Sequence, residues 1–311
     1  MVSANAISVE MERGTELLKA AVGETLPTVT ISSQSPDEAI FLGQNISKLS
    51  PLVGNLIERR IPTLLSANQQ GETLEWRRQD PDFPDAALFA AGKPVGAGFE
   101  VKAWFPMATE ITGRFRESQN LLAGKDIRVV VVSWMLNHVI FGTPEIVGVL
   151  VVDSRSVARS RDLHYHKPPD YICEEPQDTS ERTRNLQQTN VLGFKLQEQD
   201  PDRLEAVRNL CERSPAKNEG AETAQGQALS RELLSTATYR QDSNFAKIDR
   251  IAHPEIEEFK AEILARQFRG RSIGQWAKCV RALTKEGSGE AQDAQRLAMA
   301  EIEALYKEGQ L

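Results

Sequence analysis

The sequence predicts an α/β protein, with a central mixed β-sheet flanked by helices and a helical C-terminal region. Two apolar segments, 127–135 and 146–153, have the composition of strands that are buried on both faces. Two shorter segments, 85–90 and 98–104, are separated by a turn rich in Gly and Pro and predict a β-hairpin. Helical periodicity recurs before, between and after these strands, and this order of elements gives the fold class.

The composition is that of a folded globular protein. The 311 residues are 40% hydrophobic and 26% charged, which is enough for one substantial core and a smaller second lobe. The formal net charge of −7 disfavours a nucleic-acid-binding protein, because affinity for phosphates comes from Lys and Arg. A basic cleft can nevertheless lie on an acidic body, so the charge lowers the odds of DNA binding without excluding it.

Several functional classes have no support in the sequence. The three cysteines lie far apart and form no Cys-x-x-Cys pair, so neither a zinc site nor a disulfide scaffold is predicted. The N-terminus lacks the apolar core of a signal peptide, and the apolar stretch 127–141 is too short and too interrupted to span a bilayer. We therefore expect a cytoplasmic protein that does not associate with membranes.

The N-terminal part is predicted to be a leader followed by helices. Residues 1–35 have a mixed composition, with a short amphipathic piece at 16–22. From Ser35, the sequence Ser-Pro-Asp-Glu has the pattern of a helix start, with Pro at the first helical position. The helical pattern restarts at Ser50–Pro51, and Pro62 is expected to end or kink this helix.

The remaining patterns complete the predicted order of elements. A short strand is expected at 74–79, and helices are expected at 109–122 and 201–212, whereas 154–200 is polar and irregular. Three amphipathic helices are predicted near 253–268, 272–285 and 290–306.

These elements divide the chain into four parts. A leader occupies 1–35, and the core occupies 36–211 and includes a polar segment at 153–190. A segment poor in large apolar residues at 212–230 is predicted to be a flexible loop, and 231–311 is the helical C-terminal region.

Three charged residues stand out in the predicted hairpin. Asp85 opens one strand, and Glu100 and Lys102 lie in the other. Because side chains alternate across a strand, Glu100 and Lys102 share one face while the apolar residues beside them point to the opposite face. Unpaired charges inside a protein are costly, so charged residues on a central strand predict a functional site.

These three side chains have the chemistry of a metal-dependent phosphodiesterase. Two carboxylates make an oxygen-rich pocket that suits Mg²⁺. Such an ion can neutralise the charge that develops on a phosphate and can lower the pKa of a bound water. A lysine beside that water can orient it, and can help to deprotonate it if the pKa of the lysine is depressed.

The arrangement resembles the PD-(D/E)XK nuclease motif, here Pro84-Asp85, fourteen intervening residues and Glu100-Val101-Lys102. That superfamily includes type II restriction endonucleases, repair nucleases and some Holliday-junction resolvases. The resemblance implies a restriction-endonuclease-like core, Mg²⁺ held by Asp85 and Glu100, and Lys102 next to the attacking water. In many members a further acidic ligand comes from a preceding helix, and Glu58 is the candidate for it.

Other interpretations stay open for these residues. Asp82, in a second Pro-Asp pair, is an alternative first metal ligand, although the apolar strand begins directly after Asp85. Glu100 and Lys102 could instead form an exposed ion pair on an edge strand, which would contribute at most about 1 kcal/mol. Glu58 could be a solvated charge on an amphipathic helix, because two arginines follow it.

The segment 153–190, which follows the last predicted core strand, is the candidate DNA-contact region. Arginines suit phosphates and bidentate contacts with guanine, and Asn and Gln suit contacts with adenine. A polar surface loop would explain the same composition. The candidate contact residues are Arg155, Arg159, Arg161, Arg182, Arg184, Asn185, Gln187 and Gln188.

The sequence and the resemblance predict a Mg²⁺-dependent type II restriction endonuclease that hydrolyses double-stranded DNA at a specific site. Such a protein could act as a homodimer on a palindromic site, and its functional partner would be a cognate DNA methyltransferase. Two alternatives are a repair or structure-specific DNA nuclease of the same fold and a DNA-binding protein without catalysis.

Overall fold

The computed structural model describes ten stretches of the chain. It has an α/β fold with a central five-stranded mixed sheet flanked by helices, which confirms the predicted fold class at this level. The described residues are 2–67, 73–79, 82–108, 110–164, 171–174, 193–196, 200–212, 224–241, 244–283 and 289–308.

Five strands in sequence order make up the central sheet, so β3 is its middle strand. β1 pairs antiparallel with β2, and β2 pairs antiparallel with β3. Each strand overlaps a segment that the sequence predicts to be a strand. The strands are β1 (Glu75–Arg78), β2 (Ala86–Ala90), β3 (Lys93–Trp104), β4 (Asp126–Leu136) and β5 (Pro144–Asp153).

The β2–β3 hairpin turns at Ala91 and Gly92, whose φ angles are 49° and 76°. Two successive residues with positive φ make the tight turn whose twist matches that of the flanking strands. The sequence predicts a longer turn, but Lys93 already pairs with Ala90. The Gly- and Pro-rich stretch is therefore the first part of β3.

The described residues fall into two compact units. Unit 1 comprises Met1–Ile111, Arg128–Val151 and Glu255–Leu311, and unit 2 comprises Thr112–Ile127 and Val152–Pro254. Each unit is assembled from separate stretches of the chain, whereas the sequence predicts contiguous parts. The predicted leader and the last three helices thus belong to the same unit as the predicted site.

Three helices of unit 1 precede the sheet: α1 (Ala4–Ala20), α2 (Pro36–Asn45) and α3 (Ser50–Ala67), with a 3-10 helix at Ile46–Leu49. The backbone N–H of Glu38 donates to the hydroxyl of Ser35 at 3.2 Å, so the predicted helix start is confirmed. Pro62 lies inside α3, which continues to Ala67, so of the two predicted effects the ending of the helix is wrong and a kink stays a prediction.

Helix α1 corrects the prediction of a leader with only a short amphipathic piece. Polar residues on its buried face conceal the apolar pattern. The indole Nε1 of Trp76 donates to Glu10 Oε1 at 2.6 Å, and Arg13 pairs with the same carboxylate at 2.5 Å. A close approach at Gly14, whose Cβ would lie 2.9 Å from the ring of Phe99, seats α1 against β3.

Unit 2 has its own small sheet and core. In the three-stranded sheet β6 and β7 are parallel, and β7 and β8 are antiparallel. Buried residues of α6, α7 and β8 pack together, among them Val207, Leu233 and Tyr239. The elements are α4 (Gln119–Leu122), α5 (Ser154–His164), β6 (Tyr171–Glu174), β7 (Gly193–Leu196), α6 (Pro201–Glu212), α7 (Ala224–Thr236) and β8 (Tyr239–Gln241).

The predicted helix at 109–122 is wrong except for its last turn. The backbone N–H of Phe115 donates to the carbonyl of Ala246 at 2.8 Å, and that of Gln241 donates to the carbonyl of Arg116 at 2.9 Å. This segment is therefore extended and pairs with another part of unit 2. Its apolar residues have helical spacing, but its backbone hydrogen bonds go to a distant segment.

Two further predictions in unit 2 need correction. The segment 154–200 is predicted to be irregular, but its first part is the helix α5. The flexible loop is predicted at 212–230, but α7 begins at Ala224, and residues 213–223 lie outside the described residues.

The predicted C-terminal helices are confirmed as α8 (Pro254–Ala265), α9 (Ile273–Ala282) and α10 (Gly289–Lys307). α8 packs on the sheet of unit 1: the ring of Phe259 lies 6.1 Å from that of Trp104 in β3. α9 begins with a capping box formed by Ser272 and Gln275. None of the helices in the described part of the chain is long and apolar enough to cross a membrane.

Candidate active site

Asp85 lies directly before β2, at the point where β3 extends past the start of its partner strand. Ala86 is paired with Phe99, so the next residues of β3 lie beyond the end of the ladder. The Val101 N–H donates to Asp85 Oδ2 at 2.7 Å, and the Gln79 N–H donates to the Asp85 carbonyl at 2.9 Å. Both the backbone and the side chain of Asp85 are thus fixed.

Glu100 and Lys102 lie on the same face of β3. Glu100 Oε1 is 2.5 Å from Lys102 Nζ, and each side chain is only 13% exposed. An exposed ion pair on an edge strand is therefore the wrong interpretation, since these residues are largely buried on the middle strand of the sheet. The intervening Val101 is buried, as strand alternation predicts.

The Asp85 carboxyl titrates near neutral pH. Burial, followed by the nearby charge of Glu100, raises the pKa of Asp85 from 3.8 to about 7. The ammonium of Lys102 and the N–H of Val101 oppose this rise, and Glu58 adds to it. Once Asp85 ionises, the site holds two carboxylates against one ammonium group, which favours a cation beside the two carboxylates.

Lys102 is a cation rather than a base in this setting. Burial lowers the pKa of Lys102, but attraction to Glu100 and Asp85 outweighs burial, and the net shift is upward from 10.5. The sequence allows a depressed pKa and a part in deprotonating water, and the structure gives the opposite direction. Lys102 is instead suited to donate hydrogen bonds and positive charge.

Two other acids near the motif, Asp82 and Glu58, differ in their burial and in their effect on the site. Asp82 is exposed, whereas Asp85 is half-buried and bonded to β3, so Asp85 is the acid that joins Glu100. Glu58 is half-buried on α3 and acts electrostatically on both Asp85 and Lys102. Its place as a metal ligand stays a prediction.

The donor set fits a magnesium ion. Among the residues that the structure describes, no three His, Cys, Asp or Glu side chains form a metal-holding group, so the site rests on two carboxylates. Mg²⁺ is commonly held by one or two protein carboxylates, with waters and substrate phosphates completing its shell. The raised pKa of Asp85 supports the same fit, because a divalent cation would offset the mutual repulsion of Asp85 and Glu100.

The structure separates the predicted DNA-contact residues into three groups. Arg155 and Arg159 are exposed one turn apart on α5, so they form one cationic face. Arg161 is fully buried. The remaining candidates lie outside the described residues: Arg182, Arg184, Asn185, Gln187 and Gln188.

Arg161 belongs to a buried polar network in unit 2, and its prediction as a DNA contact is wrong. Its guanidinium bonds Asp162 Oδ1 at 2.9 Å and donates to the carbonyl of Phe115 at 2.9 Å. The other carboxylate oxygen of Asp162 accepts from the hydroxyl of Tyr239 at 3.0 Å and from Gln119 at 3.0 Å. Every partner lies inside the unit, so the network orders the core of unit 2.

Backbone groups at the site could not be found from residue types. The amide of Val101 fixes the carboxylate of Asp85, and the amide of Gln79 fixes its backbone. Every residue except proline has such an amide, so composition carries no signal for these contacts.

Comparison of the chain with models of protein families, with curated proteins and with solved structures found no match.

Proposed function

We propose that the protein is a Mg²⁺-dependent endonuclease of the type II restriction kind, which hydrolyses phosphodiester bonds of double-stranded DNA. One observation carries the proposal: on the middle strand of the sheet, the N–H between Glu100 and Lys102 holds the carboxylate of Asp85, and all three side chains are partly buried yet accessible. Buried charged groups are usually paired with a group of opposite charge. This group instead has two carboxyl groups and one ammonium group, and the pKa of Asp85 is raised to about 7.

The carboxylates of Asp85 and Glu100 would hold the ion. Mg²⁺, when bound, would supply positive charge against the phosphate and would acidify a water molecule for the attack. Asp85 is held by the backbone amides of Gln79 and Val101, so its carboxylate needs little reorganisation to bind a cation. Glu100 is tied to Lys102, which keeps its carboxylate on the same face.

Lys102 would orient the reactants through its N–H donors. One donor already bonds Glu100, and an ammonium group has three, so others are available for a water molecule or a phosphate oxygen. Its positive charge would also stabilise the negative charge that develops during hydrolysis. Because its pKa is raised, this role holds across the physiological pH range.

A plasmid-cleavage assay tests the proposal. The purified protein is incubated with supercoiled DNA with and without Mg²⁺, together with the variants Asp85→Asn, Glu100→Gln and Lys102→Ala. We expect Mg²⁺-dependent nicking or linearisation by the wild type and a loss of about 100-fold or more in each variant. The control is Asp82→Asn, an exposed acid three residues away, which should cleave like the wild type.

A separate measurement addresses DNA binding without cleavage. Lys102→Ala should keep its affinity for a DNA duplex in Ca²⁺ while losing cleavage in Mg²⁺. Fragments of discrete length from a plasmid digest would support site-specific cleavage, whereas preferential cutting of branched or mismatched duplexes would support a repair nuclease. Absence of any Mg²⁺-dependent cleavage by the wild type would overturn the proposal.

A further inference from the structure

Gly98 lies where β3 passes the segment that leads into β2. A Cβ atom at Gly98 would lie 2.4 Å from the carbonyl oxygen of Ala86 and 2.6 Å from Cγ of Pro84. These distances are far inside van der Waals contact, so no side chain fits at this position. The two obstructing residues flank Asp85 on either side.

We propose that Gly98 is a positioning residue for Asp85, an inference that rests on the function proposed above. The missing side chain lets the Pro84–Ala86 segment lie directly against β3. From there the carboxylate of Asp85 reaches the N–H of Val101, which brings it beside Glu100. Gly98 thus sets the spacing between the two acids without touching a ligand.

The obstructing atoms cannot move aside independently of Asp85. One is a backbone oxygen and the other belongs to a proline ring, so neither is cleared by a change of rotamer. A methyl group at Gly98 would have to push the Pro84–Ala86 segment away by roughly 1 Å to restore ordinary contact. A displacement of about 1 Å at a reacting group can cost 100-fold in rate.

A left-handed backbone conformation does not explain the glycine, although the register of the β2–β3 pair shifts directly after the Ala87–Gly98 pair. Gly98 lies within β3 and has no positive φ, unlike Gly92 and Gly96 in the same hairpin. The φ angle of Gly98 is therefore one that alanine can adopt. The effect of Gly98→Ala must come from the contact with the Asp85 segment.

Two other glycines of unit 1 provide matched controls. A Cβ at Gly54 would lie 3.5 Å from that of Ala103, which is ordinary contact, so Gly54→Ala should be neutral. A Cβ at Gly148 would lie 2.3 Å from Cδ1 of the buried Ile263 and 3.2 Å from the ring of the buried Phe259, so Gly148→Ala should overpack and destabilise unit 1 at α8 instead of at Asp85. The second control separates lost stability from lost positioning.

The experiment measures Mg²⁺ binding by titration calorimetry and amide exchange at Val101 by NMR, for the wild type and the three alanine variants. We expect Gly98→Ala to bind Mg²⁺ at least about tenfold more weakly and to lose exchange protection at the Val101 amide. Gly54→Ala and Gly148→Ala should stay within about twofold of the wild type in affinity and keep the Val101 amide protected. If Gly98→Ala unfolds at 25 °C, sucrose or trimethylamine N-oxide restores a folded population for the same measurements.

The outcomes for the two proposals are distinguishable. Unchanged protection of Val101 in Gly98→Ala overturns the positioning role, whatever the Mg²⁺ data show. Equal loss of protection in Gly98→Ala and Gly148→Ala overturns it as well, because general destabilisation then explains the effect. A wild type that does not bind Mg²⁺ overturns the proposed function, whereas selective loss of Val101 protection in Gly98→Ala still supports positioning of Asp85.

Discussion

The Asp85 carboxylate accepts a 2.7 Å hydrogen bond from the N–H of Val101, the residue between Glu100 and Lys102. This single contact joins the two halves of the candidate site, which are separated by a complete hairpin in the sequence. The contact also fixes Asp85 beside a second acid, because Glu100 directly precedes Val101 on the same strand. Burial, and then this juxtaposition with Glu100, raises the pKa of Asp85, and the juxtaposition also underlies the expected affinity for a cation.

Replacing Asp85 should stabilise the protein at neutral and higher pH. The pKa of Asp85 is about 7 in the folded protein and near 3.8 when exposed, so the folded state holds a proton that the unfolded state releases. Stability must therefore fall as pH rises between these values, by up to about 1.4 kcal/mol per pH unit from this group.

Urea denaturation between pH 4.5 and 8 tests this expectation. Asp85→Asn should flatten that part of the profile and be more stable than the wild type at pH 8. Asp82→Asn, at an exposed acid of the same segment, should retain the wild-type profile. A stability profile for Asp85→Asn that runs parallel to that of the wild type would show that folding does not raise the pKa of Asp85.

Magnesium binding should release a proton. If Asp85 is a ligand, its proton must leave when Mg²⁺ binds below the pKa of about 7. The affinity should rise by up to about tenfold per pH unit below pH 7 and level off above it. Calorimetry at pH 6 in two buffers of different ionisation enthalpy gives the number of protons released, and a value of zero would contradict the assignment.

The variant Glu58→Gln tests whether Glu58 binds the metal directly or only affects the site through its charge. Glu58 affects Asp85 and Lys102 through space, and the structure forms no group of three acids among the residues it describes. We therefore expect Glu58→Gln to weaken Mg²⁺ binding less than Glu100→Gln, by roughly threefold against at least tenfold. Equal losses in calorimetry would make Glu58 a ligand.

Arg161→Met should destabilise unit 2. Removing the guanidinium leaves the buried carboxylate of Asp162 without its cation, which typically costs about 3–5 kcal/mol. Tyr239→Phe, which removes one hydrogen bond to the same carboxylate, should cost about 1–2 kcal/mol. Arg155→Met, on the exposed face of α5, should stay within about 0.5 kcal/mol in urea denaturation.

The exposed face of α5 can be tested for contact with DNA. If Arg155 and Arg159 bind phosphates, the double variant to Gln should reduce the slope of log affinity against log salt by about 2. Arg231 is an exposed arginine on α7, and Arg231→Gln provides the control because it also removes one positive charge. An unchanged slope in fluorescence anisotropy would assign the two arginines to a solvated helix face.

Whether an element could be predicted from the sequence depended on the kind of interaction that stabilises it. β4 and β5 were predictable because continuous apolar segments fit strands buried between helices. Helix α5 was not, because part of its buried face is the ion pair of Arg161 and Asp162, which looks like a surface sequence. At the site, the placement of Asp85 beside β3 was predictable because an apolar strand begins directly after it, whereas the amide that holds its carboxylate has no sequence signal.

The order in which unit 1 is assembled has a consequence during synthesis. Its last stretch begins at Glu255, and α8 covers Trp104 on the same strand as Glu100 and Lys102. Until α8 has emerged from the ribosome, it cannot pack on the sheet of unit 1. Trp104 therefore stays uncovered in the nascent chain. A chain interrupted before residue 254 would thus carry all three motif residues on an incomplete scaffold.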